Sequence, residues 1–410
     1  MARAGLDEEW NCIFANDFDP KKSRAYRNNW GGGELNTADV SSLTTEDLPG
    51  AADLVWASFP CQDLSLAGAG AGLKGSRSGT FRPFWKLMQR LMLEGRSPSL
   101  IVLENVCGTL TSHEGRDFAS ICNGFEESGY SVGAMVVDAC LFVPQSRRRL
   151  FVIGVRNGLE VPCEMVSDNA SYPWHTNALR RAHAKLPTRT KESWIWWKLP
   201  LPPERTSCFM DFVEESPVDT PWFSAAETER LLAMMSAVNR EKVFRAALEG
   251  KRTVGCIYKR TRPTSEGKRV QRAEIRFDDV CGCLRTPGGG SSRQVVLIVE
   301  GKSVRARLIS SRETARLMGL DDEYILPENY NEAYHLTGDG VAVPVVRHLA
   351  KHIFEPLLAP ALSAQVVCSQ AEFEKNHVKK RLPKHPRMRI TNPMRGLPEK
   401  SLFQDVETIR

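Results

Sequence analysis

Two short apolar stretches decide the fold: DLVWASFPCQ at residues 53–62 and SLIVLENV at residues 99–106. Each is an unbroken apolar run of strand length that ends in polar or reactive side chains. Between them lies FWKLMQRLMLEG at residues 84–95, whose apolar residues have helical spacing. The order strand, helix, strand predicts a βαβ unit with parallel strands.

The same alternation continues on both sides of this unit. The further segments are the strands CIFAND at 12–17, YSVGAMVVDA at 130–139 and RRLFVIGVR at 148–156, and the helix FASICNGFEESG at 118–129. Continuous apolar strands separated by helices are typical of a parallel sheet that helices cover on both faces. We therefore predict a doubly wound, Rossmann-like α/β domain over residues 1–157.

The composition is that of a soluble globular protein. Of the 410 residues, 42% are apolar and 25% are charged, which excludes wholesale disorder. No apolar run reaches the roughly 18 residues of a membrane span, and Met1 to Trp10 lacks the apolar core of an export signal. We expect a cytoplasmic protein with no membrane partner. Its net charge of +6 suits an anionic partner or a solvated surface equally well.

The cysteines indicate a reduced protein without a metal site. The chain has 11 cysteines but no C-x-x-C pair. Cys281 and Cys283 form the only close pair, and no histidine lies at ligand spacing from them. These spacings do not match the common zinc sites, so we predict no metal.

Beyond Arg156 the chain is rich in tryptophan, proline and basic residues, and we place a second domain over residues 158–303. Residues 225–250 predict one or two amphipathic helices, with an apolar side formed by Leu231, Leu232, Met234, Met235, Val238, Val243 and Phe244. The segments at 253–261 and 269–277 alternate in polarity around a turn and predict a basic hairpin. This hairpin either contacts phosphates or is a solvated sheet edge protected by its charges.

The chain returns to helices after Ser310. The segments SSRETARLMGL at 310–320 and VAVPVVRHLAKHIFEPLL at 341–358 predict helices, and we expect residues 304–360 to pack on the first domain. Residues 361–410 are polar, basic and rich in proline. We predict a disordered tail there, for which no role is the simpler interpretation.

Reactive and charged side chains follow the predicted strands. Cys61 comes directly after the first decisive strand, and Glu104 ends the second. Open α/β sheets place their sites at the carboxyl ends of strands. Arg147 and Arg149 precede a further strand and lie two residues apart, so an extended backbone puts them on one face. Taken singly, each is more often a core cysteine, a turn residue or a surface arginine; taken together they indicate a site.

These residues belong to five motifs that resemble the C5-cytosine-specific DNA methyltransferase family. In the family's order they are Pro-Cys-Gln at 60–62, Glu-Asn-Val at 104–106, Gln-x-Arg-x-Arg at 145–149, Arg-Glu-x-Ala-Arg-Leu-x-Gly at 312–319 and Gly-x-x-Val-x-x-Pro at 338–344. Each motif is short, but five in order are specific. The resemblance implies a Rossmann-like S-adenosylmethionine-dependent methyltransferase domain with an inserted, smaller target recognition domain.

The resemblance also implies a mechanism. The thiolate of Cys61 would add to C6 of a cytosine, because C5 is a poor nucleophile until that addition occurs. Glu104 would serve N3 of the ring, and Arg149, supported by Arg147, would serve O2 and the nearby phosphate. The base that removes the C5 proton is not identified by the sequence.

S-adenosylmethionine is the cofactor that the resemblance implies. Asp17 follows a predicted strand and would accept the ribose hydroxyls, while Phe18 would pack on the adenine. Asp39 and Val40 resemble the next family motif, whose acid meets the adenine amino group; a plain turn residue is the alternative for Asp39. The other positions assigned to the cofactor are Pro60, Asp339 and Val341.

Two features depart from the family. It opens with a strand and a Phe-x-Gly-x-Gly-Gly loop for the methionine part of the cofactor, whereas this chain opens with MARAGLDEEW. We interpret the start as misplaced, or the loop as supplied by another segment. In addition, Asp339 stands where most relatives have asparagine. The first departure raises the alternative of a DNA-binding relic without catalysis.

The region 158–303 would be the target recognition domain. Bases inside a duplex are unreachable, so such an enzyme must flip the cytosine out and hold the DNA. We assign DNA contacts to Gln145, Arg285, Thr286 and Arg293, the last three in a glycine-rich segment that permits close approach to phosphates. Trp194, Trp196 and Trp197 are either a stacking surface or, as their proline-rich surroundings favour, part of the core.

The partners follow from this reading. We expect double-stranded DNA as the substrate, a monomer, a bacterial or phage origin, and possible pairing with a cognate restriction endonuclease. The main rival is a transfer-RNA cytosine methyltransferase of the same superfamily. That rival has a Cys-Phe-Thr motif, where this chain has only Cys208-Phe209-Met210.

Overall fold

The computed structural model describes residues 1–59, 81–263, 267–286 and 292–359. The strands are β1 (Ala15–Asn16), β2 (Leu35–Asn36), β3 (Leu54–Ser58), β4 (Leu100–Val106), β5 (Tyr130–Asp138), β6 (Arg148–Arg156), β7 (Trp194–Ile195), β8 (Thr253–Pro263), β9 (Arg269–Arg276), β10 (Val295–Glu300) and β11 (Ser303–Leu308). The α-helices are α1 (Ala2–Leu6), α2 (Pro20–Trp30), α3 (Phe81–Leu93), α4 (Arg116–Glu127), α5 (Asn177–Ala184), α6 (Thr188–Glu192), α7 (Ala225–Ala233), α8 (Ala237–Leu248), α9 (Ser311–Arg316), α10 (Tyr330–Asp339) and α11 (Val343–Leu349).

The larger sheet has five strands in the order β3-β4-β6-β5-β7. β3 pairs with β4 in parallel, and α3 lies between them in sequence, which confirms the predicted βαβ unit. The prediction of a wholly parallel sheet is wrong, because β6 runs antiparallel to both β4 and β5. A parallel neighbour needs a crossover of a dozen or more residues, whereas residues 139–147 provide only a short reversal. The α/β class of the fold is confirmed.

A separate two-stranded sheet pairs β1 and β2 in parallel. Helix α2 connects them; it is capped at its start by Asp19, whose side chain accepts a hydrogen bond from the Lys21 amide, and at its end by Gly31 with φ +80°. An aspartate cap, a proline in the first turn and a terminal glycine are the usual limits of a helix. Because β1 and β2 are parallel, their carboxyl ends lie at the same edge of this small sheet.

The smaller sheet is antiparallel throughout, in the order β11-β10-β8-β9. The predicted hairpin is β8 and β9, and α7 and α8 pack on one face of the sheet. Val238 and Phe244 were predicted on the apolar side of these helices but are 70% and 58% exposed. The buried residues of α8 are Val243 and Ala246, so its apolar side is narrower than predicted and faces away from Phe244.

The two sheets share one core. Val254, Cys256 and Val296 of the smaller sheet pack in the same cluster as Leu100 and Val102 of β4. Strand β7 joins the larger sheet and β11 completes the smaller one, so the sheets do not follow the boundaries that we placed at residues 158 and 303.

The helix that begins with α11 continues through a π-helical segment, Ala350–Phe354, to residue 359. It packs against the shared core and against α1, where Val346 contacts Gly5 closely enough to exclude any larger residue at that position. In the part of the chain that the structure describes, none of the helices has the length and apolarity required to span a membrane.

The three tryptophans of residues 194–197 pack in the interior. Trp197 is fully buried in the shared core, and Trp194 and Trp196 pack against the cluster on the other face of the larger sheet. The His183 ring lies 4.8 Å and 4.5 Å from the rings of Trp194 and Trp196. These contacts favour the core interpretation over a stacking surface.

Candidate active site

The strand ends that the sequence singled out meet at one edge of the larger sheet. Ser58, the last residue of β3, pairs in register with Glu104 of β4. The chain leaves β3 at this edge and continues toward Pro60 and Cys61, which lie outside the residues that the structure describes. The end of β4 and the exit from β3 are therefore neighbours.

Glu104 and Arg149 form an ion pair at this edge. The distance from Arg149 Nε to Glu104 Oε1 is 3.0 Å, and the side chains are 15% and 6% exposed. The antiparallel register of β4 and β6 places Val106 opposite Arg149, so the arginine lies at the strand end beside the glutamate. A paired carboxyl and guanidinium supply both a proton-exchanging group and a fixed cation.

Arg147 occupies a different environment from Arg149. Its guanidinium is buried and donates hydrogen bonds to the main-chain oxygens of Leu284 at 2.9 Å and Gly338 at 2.8 Å, and also to that of Gly340. Burial and the nearby positive charge of Arg149 together lower the pKa of Arg147 to about 10. Since its donors serve the protein's own carbonyls, Arg147 joins the segment after β9 to the C-terminal end of α10.

Gln145 is also used inside the protein. Its side chain is fully buried, donates to the Leu317 carbonyl at 2.7 Å, and accepts from the Leu284 amide at 3.3 Å. Our expectation of a direct DNA contact by Gln145 conflicts with this position. A buried amide with both partners satisfied holds two segments together and cannot reach a phosphate.

Cys283 is a residue near the site that the sequence argument did not select. Its Sγ lies 3.5 Å from Arg147 Nη1. Burial alone would raise the pKa of this thiol, but Arg147 and Arg149 more than compensate, and the pKa falls below its usual value. The C-x-C spacing of Cys281 and Cys283 is the feature of the sequence that could have pointed to this thiol.

Three of the residues assigned to the cofactor, Asp17, Phe18 and Asp39, follow the carboxyl ends of β1 and β2. Asp17 follows β1 and Asp39 follows β2, and the Asn16 amide fixes the two segments by donating to the carbonyls of Asn36 and Ala38. Phe18 is 65% exposed. The Asp39 carboxylate accepts a hydrogen bond from the Ser41 amide at 2.8 Å, as a turn residue does. Carboxylates at two strand ends and an exposed ring next to Asp17 in sequence are the kinds of side chain that suit the hydroxyls and flat base of the adenosine in S-adenosylmethionine.

Asp339 connects this edge to the end of α10. Its carboxylate accepts hydrogen bonds from Lys22 Nζ at 2.7 Å and from the Thr286 hydroxyl.

Burial raises the pKa of Asp17, and the carboxylates of Asp19 and Asp339 raise it further. Val341, also assigned to the cofactor, is buried, and Val40 is partly buried against the cluster that contains Leu43.

The three arginine and threonine residues assigned to DNA differ in their surroundings. Arg285 is exposed, whereas Thr286 is bound to Asp339. Arg293 donates to the Asn331 side chain and lies 5.5 Å from the centroid of the Tyr330 ring. Thr286 and Arg293 therefore fasten the glycine-rich segment to α10.

Across the described ranges, no group of three or more His, Cys, Asp or Glu side chains is arranged to hold a metal ion.

The fold is shared with a known methyltransferase structure. That of the Entamoeba histolytica methyltransferase EhMeth has a TM-score of 0.55 and 13% identity, and the match covers 86% of this chain and 95% of that one. At this level of identity the likeness supports the fold alone.

The sequence has curated relatives and a matching family profile. The type II methyltransferase M.HpaII of Haemophilus parainfluenzae is 25% identical over 363 residues, which cover 84% of this chain and 84% of that protein. M.DsaV of Dactylococcopsis salina is 26% identical over 341 residues, with coverages of 83% and 78%. The profile described as C-5 cytosine-specific DNA methylase matches residues 1–355, and it confirms the resemblance carried by the five motifs. This chain belongs to the C-5 cytosine-specific DNA methylase family.

Proposed function

We propose that this enzyme methylates C5 of a cytosine flipped out of duplex DNA, through a transient covalent bond between Cys61 and C6 of the base. The observation that carries the proposal is the Glu104 and Arg149 ion pair at 3.0 Å, at the strand edge from which the chain leads to Cys61. A buried acid and a fixed guanidinium meet the two electrostatic requirements of this addition.

The protein's part in the reaction follows from the charge that develops on the ring. The Cys61 thiolate forms a bond to C6, and the electrons of the C5–C6 double bond move toward N3 and O2. Glu104 supplies a proton or hydrogen bond at N3, and Arg149 stabilises the charge at O2. S-adenosylmethionine, when bound, supplies the methyl group to C5. A base then removes the C5 proton, the C5–C6 double bond re-forms and the Cys61 thiolate leaves, while the proton supplied at N3 returns to Glu104.

Arg147 has a supporting role in this scheme. Its bonds to Leu284, Gly338 and Gly340 hold the segments that carry Thr286 and Asp339. We therefore assign it to positioning and leave the direct contact with cytosine to Arg149.

The cofactor would lie at the edge formed by β1 and β2. Asp17 would accept the ribose hydroxyls, Phe18 would pack on the adenine, and Asp39 would meet its amino group. Their placement after two parallel strands supports this assignment, because such edges are the usual nucleotide sites of α/β sheets.

The smaller sheet supplies the proposed contact with DNA. The hairpin of β8 and β9 presents the exposed side chains of Arg260, Arg262, Lys268 and Arg269, while Arg285 is exposed on the adjoining segment. Guanidinium and ammonium groups at these positions would contact phosphates and fix the register of the duplex. We propose residues 158–303 as the main part of the target recognition domain.

Transfer RNA is the rival substrate. DNA is favoured because the family whose profile matches residues 1–355 is described as C-5 cytosine-specific DNA methylase. The segment that would carry the transfer-RNA motif also departs from it, and Phe209 is buried, so its ring is not available for base contacts. A cognate restriction endonuclease as partner and a cytoplasmic, monomeric enzyme complete the proposal.

A transfer assay separates DNA, transfer RNA and an inactive relic. The purified chain is incubated with S-adenosylmethionine labelled in its methyl group and either unmethylated plasmid DNA or unmodified transfer RNA. We expect 5-methylcytosine in DNA, confined to one sequence context when the product is sequenced after bisulfite treatment. Label in transfer RNA alone would replace the substrate assignment, and no label in either would favour the relic.

A further inference from the structure

Lys22 is a charged residue beside the proposed cofactor edge that no family motif assigns. It lies in the first turn of α2, and its Nζ is 2.7 Å from Asp339 Oδ2. The lysine and aspartate side chains are 27% and 40% exposed, so a ligand can reach both. The pair joins the segment after β1 to the end of α10.

Other charged groups act on this pair. The carboxylates of Asp17 and Asp19 act on the Lys22 ammonium along with Asp339, while His335 acts on Asp339 and the amino terminus of Met1 acts on Asp17. Thr286 donates a second hydrogen bond to Asp339 and fixes the orientation of that carboxylate. The cluster therefore offers an oriented pair of opposite charges.

S-adenosylmethionine matches this charge pattern at one of its ends. Its amino-acid end carries one carboxylate and one ammonium, and the sulfonium makes the whole molecule positive. An ion pair of a protein can bind such a zwitterion by exchanging partners, with each charge facing its opposite.

We propose that Lys22 and Asp339 together bind the amino-acid end of S-adenosylmethionine, with the Lys22 ammonium on the ligand carboxylate and the Asp339 carboxylate on the ligand ammonium. This inference rests on the proposed function, because it assumes that Asp17 and Phe18 hold the adenosine end. Lys22 lies in the first turn of α2, five positions after Asp17, and its side chain reaches Asp339.

The test compares ligands that keep or lack the amino-acid end. Calorimetry measures the binding of S-adenosylmethionine, S-adenosylhomocysteine and 5′-methylthioadenosine to the full chain and to Lys22→Met. We expect the substitution to weaken the first two by about tenfold or more, since a charge-assisted hydrogen bond is lost. 5′-Methylthioadenosine has no carboxylate or ammonium, and we expect its affinity to stay within about twofold of the parent value.

Matched variants exclude a general effect on α2. Lys21→Met removes the preceding lysine, which is 60% exposed and pairs with Glu332, and should leave all three affinities unchanged. Lys22→Arg keeps the charge and should retain most of the affinity for S-adenosylmethionine. Thermal unfolding of each variant shows whether the fold is intact.

Equal weakening of all three ligands by Lys22→Met, or no weakening of any, would overturn the assignment of Lys22 while leaving the proposed function in place. If the parent chain binds 5′-methylthioadenosine but not S-adenosylmethionine, the zwitterion site is contradicted. Failure of the parent chain to bind any of the three would contradict both this inference and the proposed cofactor.

Discussion

Arg149 reaches Glu104 because β4 and β6 are antiparallel, with Val106 and Arg149 in register at the edge where β4 ends. In a parallel arrangement the start of β6 would lie at the opposite edge of the sheet. The strand direction that the sequence argument missed is therefore what assembles the pair of charged residues that it selected.

Glu104→Gln should abolish most turnover and keep the fold. Glutamine has nearly the same shape and can still hydrogen-bond N3, but it cannot transfer the proton that the developing charge requires. We expect the rate of methyl transfer to fall by about 10²- to 10⁴-fold, the usual range for a general acid. Single-turnover assays check this, and a rate within about twofold of the parent rate would rule out the acid role.

Arg147→Lys should reduce stability because lysine cannot satisfy the same carbonyl groups. The planar guanidinium serves Leu284, Gly338 and Gly340 at once, and an ammonium on a flexible stem lacks that geometry. We expect the free energy of unfolding to fall by about 1–3 kcal/mol, measured by urea denaturation.

The neighbouring residue provides the control for this variant. Arg148 is 71% exposed and pairs with Asp138, so Arg148→Lys should change stability by less than about 0.5 kcal/mol. If both variants have the same free energy of unfolding, the buried hydrogen bonds of Arg147 stabilise the fold no more than the exposed ion pair of Arg148 does.

We expect the effects of substituting Arg307 and Glu313 on the free energy of unfolding to be strongly coupled. Their ion pair is fully buried, and the Arg307 guanidinium meets both carboxylate oxygens, at 2.8 Å and 2.5 Å. Removing one partner leaves an uncompensated buried charge, so Arg307→Met should cost about 3–5 kcal/mol, whereas the double variant with Glu313→Leu should recover much of that loss.

The exposed pair of Arg316 and Asp322 is the comparison for this experiment. It has a similar separation of 2.7 Å, but its side chains are 28% and 56% exposed. Arg316→Met should therefore change stability by less than about 1 kcal/mol. A loss as large as that of Arg307→Met would show that burial is not what distinguishes the two pairs.

His175 should make the protein less stable in mild acid. Burial lowers the pKa of its imidazole from 6.5 to about 4. Below pH 6.5 the unfolded chain therefore binds a proton that the folded chain does not, and the free energy of unfolding falls as the pH is lowered from 6.5 toward 4. Urea denaturation at several pH values measures this slope, and His175→Gln should flatten it; an unchanged slope would assign the effect to other groups.

Much of the site could be predicted because its motifs lie at strand ends. An apolar run followed by Glu104 shows where a strand stops, and parallel strands bring their ends to one edge. The roles of Gln145 and Arg147 could not be predicted in this way. Burial depends on the segments around Leu284 and Gly338, which are distant in sequence, and nothing local distinguishes a buried arginine from an exposed one.

The direction of β6 and the position of Lys22 were missed for different reasons. An apolar strand such as β6 has the same composition whether it runs parallel or antiparallel, and only the short connection at residues 139–147 indicated a reversal. Lys22 lies in a polar helix whose lysines look alike in sequence. Its distinction is the contact with Asp339, more than 300 positions later in the chain.

The covalent bond to Cys61 is the central claim, and one measurement tests it most directly. The protein is incubated with S-adenosylmethionine and duplex DNA in which 5-fluorocytosine replaces the target cytosine. Fluorine blocks the loss of the C5 substituent, so the thiolate cannot leave and a denaturation-resistant complex of protein and DNA should accumulate. Cys61→Ala should give no complex, since alanine has no nucleophile. A complex that forms equally with Cys61→Ala would contradict the account.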